Sequence, residues 1–419
     1  MHNSPRELCI VLTWPEKRMT ATLSERLRWL GVLQGARHLR PRRRVHTVEE
    51  LLPAGQIVRT EHGPFFLLRR TYGAEMRHGI HALGEFWEKD LRTAAHLARD
   101  ERLADAEPER IAFIDIETTG LGGAGACAFL IGVGMFETGR FVVHQFFMRD
   151  YGEEQAQLQA VGDLLGRAAA VVSFNGKGFD LPFLENRFIL TRRLSPLDDV
   201  PHLDLLPAAR RLWKHRLSSC TLSSLEREVL GVRRSRRDVP GWLIPYLYAD
   251  YVRSGDARRM PDIFYHNAQD ILSLVTLAVH ICDLIDTLPE KIPEEDLYGL
   301  GRIWQEMGRF GRAEWAWSRA AVAGTTEVRR RAMRDLALLL KRQERRSEAV
   351  AWWQHLAEAG SAWACEELAK HYEWHDVDLQ RAITWARRGL DLSRGDDRAA
   401  FVHRLARLER KCGSGPTVT

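Results

Sequence analysis

Residues 111–121 read IAFIDIETTGL. The apolar run Ile111 to Ile114 leads into Asp115-Ile116-Glu117 and then Thr118-Thr119-Gly120-Leu121. As a strand, with its period of two, the segment puts Asp115 and Glu117 on one face and Ile114 and Ile116 on the other. Two carboxylates side by side repel each other unless a cation sits between them. Hard divalent ions such as magnesium or manganese take such oxygen ligands. An edge strand with two solvated acids has the same pattern, so the decision rests on what lies downstream.

A second segment, VVSFNGKGFDLPFLENRF, runs from Val171 to Phe188. Val171, Val172 and Phe174 read as a short buried strand, and Asn175-Gly176-Lys177-Gly178 is turn chemistry. Phe179-Asp180-Leu181-Pro182 then opens a helix. Asp180 suits an N-cap there, and a cap also fixes its carboxylate in space. A third segment, Tyr265-His266-Asn267-Ala268-Gln269-Asp270, begins a helix whose apolar stripe is Ile271, Leu274, Val275, Ala278 and Val279. His266 and Asp270, four apart, share a helix face, which sets a titratable imidazole beside a candidate metal-ligating carboxylate. Taken alone, that pair is an ordinary surface His–Asp pair.

In this order and spacing the three segments resemble the DEDD superfamily of 3′–5′ exonucleases, with its ribonuclease H-like fold. Asp115 and Glu117 correspond to the first motif, Asn175, Phe179 and Asp180 to the second, and Asp270 to the third. His202-Leu203-Asp204-Leu205, Leu222, Leu225-Glu226, Leu230-Gly231, Asp238-Val239-Pro240-Gly241 and Tyr265-His266-Asn267 are similar to the YprB-like branch of that superfamily. The resemblance covers roughly residues 105–285, with a looser echo in 50–85.

It implies that Asp115, Glu117, Asp180 and Asp270 hold two Mg2+ or Mn2+ ions roughly 3.5–4 Å apart, for in-line displacement at a phosphodiester. Thr118, Gly120 and Leu121 would meet the terminal nucleotide, and Asn175 and Phe179 its sugar and the scissile end. The substrate would be a single-stranded 3′ end of DNA or RNA. In one DEDD class a Tyr stands four residues before the last Asp, in the other a His stands five before it. Here His266 stands at four and Tyr265 at five, the two types interchanged. Either can serve as general base. His266 is favoured, because it shares a face with Asp270 and an imidazole titrates near neutrality. Asp204 reads as a structural or outer acid before a direct ligand. The interchanged pair keeps open a catalytically weak nucleic-acid-binding scaffold. A structure-selective endonuclease on the same fold is also open, and it alone would cut circular strands.

The 419 residues allow two or three domains, and 45% apolar with 28% charged residues is the composition of a soluble globular protein. Sixty-one basic against 56 acidic residues, a net charge of +5, is too mild to demonstrate nucleic-acid binding. The arginines are clustered, from Arg37 to Arg44 and again at Arg210, Arg211, Lys214, Arg216, Arg227, Arg233, Arg234, Arg236 and Arg237. Phosphate tracking is one reading of these clusters and a solvated face the other. The six cysteines are scattered without a C-x-x-C pair, which argues against a zinc module or disulfide framework and fits a reducing cytosol. The Gly120 to Gly125 run lacks the Lys-Ser or Lys-Thr of a P-loop. No apolar run approaches the roughly 20 residues that span a bilayer, and the N-terminus lacks the pattern of a signal peptide. The expectation is a cytoplasmic protein away from membranes.

Three regions and a tail are expected. Residues 1–104 are basic and partly β, with Ile57 to Thr60 and Phe65 to Leu68 broken by Gly63-Pro64, then one polar helix from Phe86 to Leu103. Residues 105–288 form the α/β domain, a mixed sheet with flanking helices. Val133 to Phe136 and Phe141 to Phe147 form a hairpin in it, and Tyr246, Tyr248 and Tyr251 are packing residues of a helix. Residues 294–410 are all helix. Ala313 to Trp317, Ala349 to Trp353 and Ala382 to Ala386 recur at spacings of 36 and 33, similar to tetratricopeptide repeats, which suit a protein partner. Residues 411–419 read as a disordered tail.

Overall fold

The computed structural model describes residues 44–120, 122–123, 125–235, 238–287 and 291–413. The expectations for residues 1–43, including most of the first arginine cluster, for Leu121 and for the last six residues lie outside them. The chain divides into Met1–Val45 and His46–Thr419, and the second unit is described here.

Its centre is a seven-stranded mixed sheet. The strands are β1 (Gln56–Thr60), β2 (Gly63–Gly73), β5 (Ile111–Thr118), β6 (Ala128–Glu137), β7 (Arg140–Phe147), β8 (Ala170–Ser173) and β9 (His202–Asp204). Their order is β1-β2-β7-β6-β5-β8-β9, antiparallel up to β5 and parallel from β5 through β8 to β9. The short strands β3 (Arg77–His78) and β4 (His81–Ala82) pair separately. Thr138 and Gly139, both with positive φ, make the tight turn of the β6–β7 hairpin. The predicted hairpin is therefore present, with β6 beginning five residues earlier than its apolar core suggests.

Helices cover both faces, which is why β5, β6 and β7 read as nearly unbroken apolar runs rather than alternating ones. Ile114 and Ile116 of β5 pack with α2 (Glu154–Leu165) and α3 (Asp180–Leu190). Ile111 and Phe113 face the other way, into a core shared with α1 (Leu91–Ala98), α4 (Leu205–Trp213) and α6 (Met260–Asp286). Helix α5 (Ile244–Ser254) lies between α4 and α6 in the chain. Asp115 and Glu117 share the parity of Ile111 and Phe113, so they face α6. That helix is 27 residues long, about 40 Å. Contrary to the sequence expectation, it is long and apolar enough to cross a membrane, but 78% of its apolar window is buried inside the protein. Its composition belongs to a core helix.

The N-terminal β residues are part of the central sheet, since β2 pairs with β7 along its whole edge. The single helix expected over 86–103 is broken. A 3₁₀ turn (Leu83–Glu88) comes first, and Asp90 then caps α1 by accepting from the Arg92 N–H. Arg99 in the left-handed region ends α1, and Asp100 caps a further 3₁₀ turn.

The C-terminal region stacks α7 (Glu294–Glu306), α8 (Phe310–Ala323), α9 (Thr326–Arg342), α10 (Arg346–Glu358), α11 (Ala362–Trp374), α12 (Leu379–Leu392) and α13 (Asp396–Gly413). The recurring Ala and Trp positions fall on α8, α10 and α12, with Ala313, Trp317, Ala349, Trp353 and Ala382 buried. The core runs without a break from the sheet through α6 into this stack. Gly299 of α7 makes that approach possible, because a Cβ there would stand 2.3 Å from the Arg211 carbonyl oxygen of α4. Trp304 donates its indole N–H to the Ile285 carbonyl at 2.8 Å, and Arg309 pairs with Asp286 at 2.8 Å.

Candidate active site

The three sequence segments meet at one end of the sheet. Asp115 is held from α6 by Asn267, whose Nδ2 donates to its Oδ2 at 2.8 Å and to its backbone oxygen at 3.1 Å. Gln145 of β7 completes the chain by donating to Asn267 Oδ1 at 2.9 Å. Gly132 pairs with both Asp115 and Gln145 across the ladder. A Cβ at Gly132 would lie 2.3 Å from Asn267 Oδ1, so a bare backbone there gives Asn267 its route to Asp115. Asp180 is the first residue of α3 rather than its cap. Its Oδ1 accepts from the Ile116 N–H, between the two acids of β5, at 3.3 Å.

Around Asp270 the structure gathers residues from the loop after α4. Arg234 grips the buried Glu226 through Nε (2.7 Å) and Nη2 (2.5 Å), and Nη2 also meets Asp270 in a close ion pair. Its Nη1 lies 3.3 Å from Asp238 Oδ1. Asp238 in turn holds His266 Nδ1 at 2.8 Å, which leaves Nε2 turned toward Asp270 (3.5 Å) and Glu117 (4.0 Å). Glu226 sits in a π turn (Glu226–Leu230) and also accepts from Ser273, whose hydroxyl meets His78 Nε2 at 2.7 Å. A buried polar chain thus ties the β3–β4 hairpin to the acid cluster.

The electrostatics follow from this crowding. Burial pushes the Asp115 carboxyl well above the usual carboxylate range, and the charges of Asp270, Glu117 and Asp180 add to it. Glu117 rises to about 8, through burial and then Asp270 and Asp180, against the opposing pull of His266 and Arg234. Asp180 rises to about 7, chiefly through burial. For His266, burial alone would lower the pKa. The Asp238 hydrogen bond and the charges of Asp270 and Glu117 outweigh it and bring the ring to about 9. The charges around the ring thus favour its protonated form, above the ordinary imidazole range on which the choice of His266 as base rests. Buried oxygen donors with too little cationic compensation are the donor set that hard divalent ions stabilise, so the four acids fit magnesium or manganese.

The remaining expected residues divide. Thr118 donates to the Gly120 carbonyl at 2.9 Å and shapes the turn after β5. Asn175 is exposed at the mouth of α3, and Phe179 packs on Phe183, ring centres 5.6 Å apart. Asp204 accepts from the N–H groups of Asn175 (2.8 Å), Lys177 (3.1 Å) and Leu206 (3.0 Å), the work of a structural acid. Tyr265 accepts from the Ser235 N–H at 3.0 Å. Of the second arginine cluster, Arg236 and Arg237 lie outside the described residues, and the others are dispersed. Arg211 pairs with Glu306, Arg216 with Asp296 and Arg227 with Glu228, while Arg210 and Lys214 are exposed on and just after α4. Sequence reasoning missed Arg234, Asp238, Glu226 and Asn267 as site residues. Asp238-Val-Pro-Gly and Tyr-His-Asn267 were visible as motifs, but their convergence was not.

A second cluster brings His81 Nδ1 and carboxylate oxygens of Glu85 and Asp283 within 4.8 Å of one another. It lies roughly 20 Å along α6 from Asp270. Lys89 already sits on Asp283 at 2.6 Å, and His81 bonds Glu85 (2.6 Å) and His280 (3.0 Å), so it reads as a knot fastening the hairpin to α6.

A family model described as the RNase_H superfamily matches residues 112–282, a span that contains every acid of the cluster. The protein named Uncharacterized protein YprB, of Bacillus subtilis (strain 168), is 32% identical over 357 residues, 82% of this chain and 85% of its own length. The chain belongs to the YprB family. RNase H-superfamily membership carries nuclease chemistry on nucleic acid, typically metal-dependent, as its general implication. In this YprB-family chain the matched span includes Asp115, Glu117, Asp180 and Asp270.

Proposed function

We propose that this YprB-family chain is a 3′–5′ exonuclease that hydrolyses phosphodiester bonds at single-stranded ends of DNA or RNA. The observation that carries the reading is that Glu117 of β5 and Asp270 of α6 face one imidazole held by its own acid, while Asp180 of α3 is bonded to the strand between Asp115 and Glu117. Asp115, Glu117, Asp180 and Asp270 would hold two magnesium or manganese ions, which supply Lewis-acid activation of the phosphate and the attacking water. Asn267 orients Asp115 so that its carboxylate cannot turn away. Asp238 fixes the tautomer and plane of His266, leaving Nε2 to exchange a proton beside Glu117 and Asp270. Thr118, Gly120, Asn175 and Phe179 border the place where a terminal nucleotide would sit.

The test is incubation with 5′-labelled single-stranded DNA and RNA in Mn2+ or Mg2+, beside Asp115→Ala. A ladder shortening from the 3′ end, absent in the variant, is expected. A second reading, a catalytically weak nucleic-acid-binding scaffold, is favoured by one observation: the Arg234 guanidinium already sits on Asp270. Strands shifted in a gel but uncut by either protein would establish it. The helical stack, similar to tetratricopeptide repeats in its spacing, is read as a surface for a protein partner.

A further inference from the structure

The chain from Asp238 to Gly241 wraps the ring of His266. Asp238 holds Nδ1 at 2.8 Å, and a methyl group placed on Gly241 would stand 4.0 Å from Nε2, the nitrogen that faces the acids. Trp242 follows at once, its Cα about 3.8 Å farther on. The 3₁₀ turn Gly241–Leu243 then runs into α5, which packs against β5. The inward face of this helical stretch is packed. Ile244, Tyr248 and Tyr251 are buried, and Tyr248 stacks on Phe129 with ring centres 3.9 Å apart. The outward face carries Trp242 and Tyr246, which are 60% and 62% exposed, so Tyr246, unlike Tyr248 and Tyr251, is not the packing residue that the sequence pattern predicts. Four residues apart, they project from the same side, roughly 6 Å from each other along the axis. Among the described residues neither ring makes a hydrogen bond or an aromatic contact. Both rings lie on the surface, Trp242 one residue and Tyr246 five residues past Gly241, which borders His266. Flat, unpartnered rings in that position have the properties of a base-stacking platform.

We propose that Trp242 and Tyr246 stack the unpaired bases of a single strand whose terminal phosphodiester lies at the acid cluster. The proposal rests on the nuclease reading above and specifies its substrate. Stacking reads the face of a base and not its edge, so the platform accepts any sequence, in DNA or RNA. A base inside a duplex already has both faces covered, so the platform selects single-stranded ends.

Fluorescence anisotropy with 5′-fluorescein dT12, rU12 and a twelve-unit abasic strand tests this, with Ca2+ replacing Mn2+. The wild type is expected to bind dT12 and rU12 about tenfold more tightly than the abasic strand. Trp242→Ala and Tyr246→Ala are each expected to erase most of that preference, and Trp242→Phe to keep it. Melting curves recorded beside the titrations show whether each variant is folded. A preference for bases that survives in the double Ala variant overturns the platform while leaving the nuclease reading intact. A wild type that neither cuts nor binds any strand defeats the nuclease reading, and the platform with it.

Discussion

Arg234 shows how one side chain sets the character of the site. Its guanidinium joins Glu226, Asp238 and Asp270, three carboxylates from different parts of the chain. Replacing it with Gln leaves Glu226 buried and unpaired. Arg234→Gln is therefore expected to lower the unfolding free energy by about 3–5 kcal/mol in urea melts. Arg234→Met with Glu226→Gln, which removes both charges, is expected to recover more than half of the loss. A loss as large in the double variant would mean that the charge pair is not the source. For Asp238→Asn the expected effect is catalytic. The loss of its hold on His266 lowers kcat by roughly 10–100-fold, with the melting temperature little changed. An unaltered kcat would remove His266 from the proton transfer proposed here.

At the scale of elements, the acid strand shows what a sequence can disclose and what it withholds. Asp115 and Glu117 were legible because strand periodicity is local, and Asp270 because a helix repeats every 3.6 residues. The β6–β7 hairpin announced itself through Thr138-Gly139. Arg234 and Asp238 could not be placed the same way. Their position depends on the path taken after the left-handed Gly231, and only tertiary packing brings that loop onto His266, about thirty residues later. The helix expected over 86–103 failed for a related reason: Asp90 and Asp100 are ordinary polar residues in a helical pattern until their side chains turn to cap. Gly132 joins both lessons. In sequence it is a weak strand residue, and in the fold it is the gap that admits Asn267. Gly132→Ala forces the Asn267 amide away from Asp115. The expected cost is about 1–3 kcal/mol of stability, together with weaker Mn2+ binding by calorimetry. An Ala variant that binds Mn2+ as the wild type does would show that Asn267 is not needed to orient the acid.

For the whole molecule, the acid cluster makes stability depend on pH and metal together. Glu117 and Asp180, raised to about 8 and 7, and His266, raised to about 9, all bind protons more tightly in the folded chain than in the unfolded one. Each contributes stability that is complete below its unfolded pKa and is lost as pH climbs through the folded value. His78, His202 and His280, lowered to about 4 by burial, act in the opposite sense, but only between about pH 4 and 6.5. Above about pH 7 those three histidines no longer contribute, and the raised groups, Asp115 among them, set the trend. The EDTA-treated protein is expected to lose stability from about pH 7 to 9, and Mn2+ to flatten the curve. A metal-free protein equally stable at both ends would mean that the acids are better compensated than their burial implies. Size matters in a second way. Because one core runs from the sheet into the stack, removing residues 294–413 strips Trp304 and its neighbours from α6. The remainder is expected to show molten, non-cooperative unfolding by calorimetry instead of a sharp transition.

Helix α6 brings Asn267 and Asp270 to the acids at one end and seats the stack at Ile285 and Asp286 at the other. On the ribosome this helix is made after both other acid-bearing elements, β5 and α3, and the stack that anchors its far end is made later still. A half-made chain therefore carries Asp115, Glu117 and Asp180 but lacks the side chains that hold Asp115 in place and close the ring of acids.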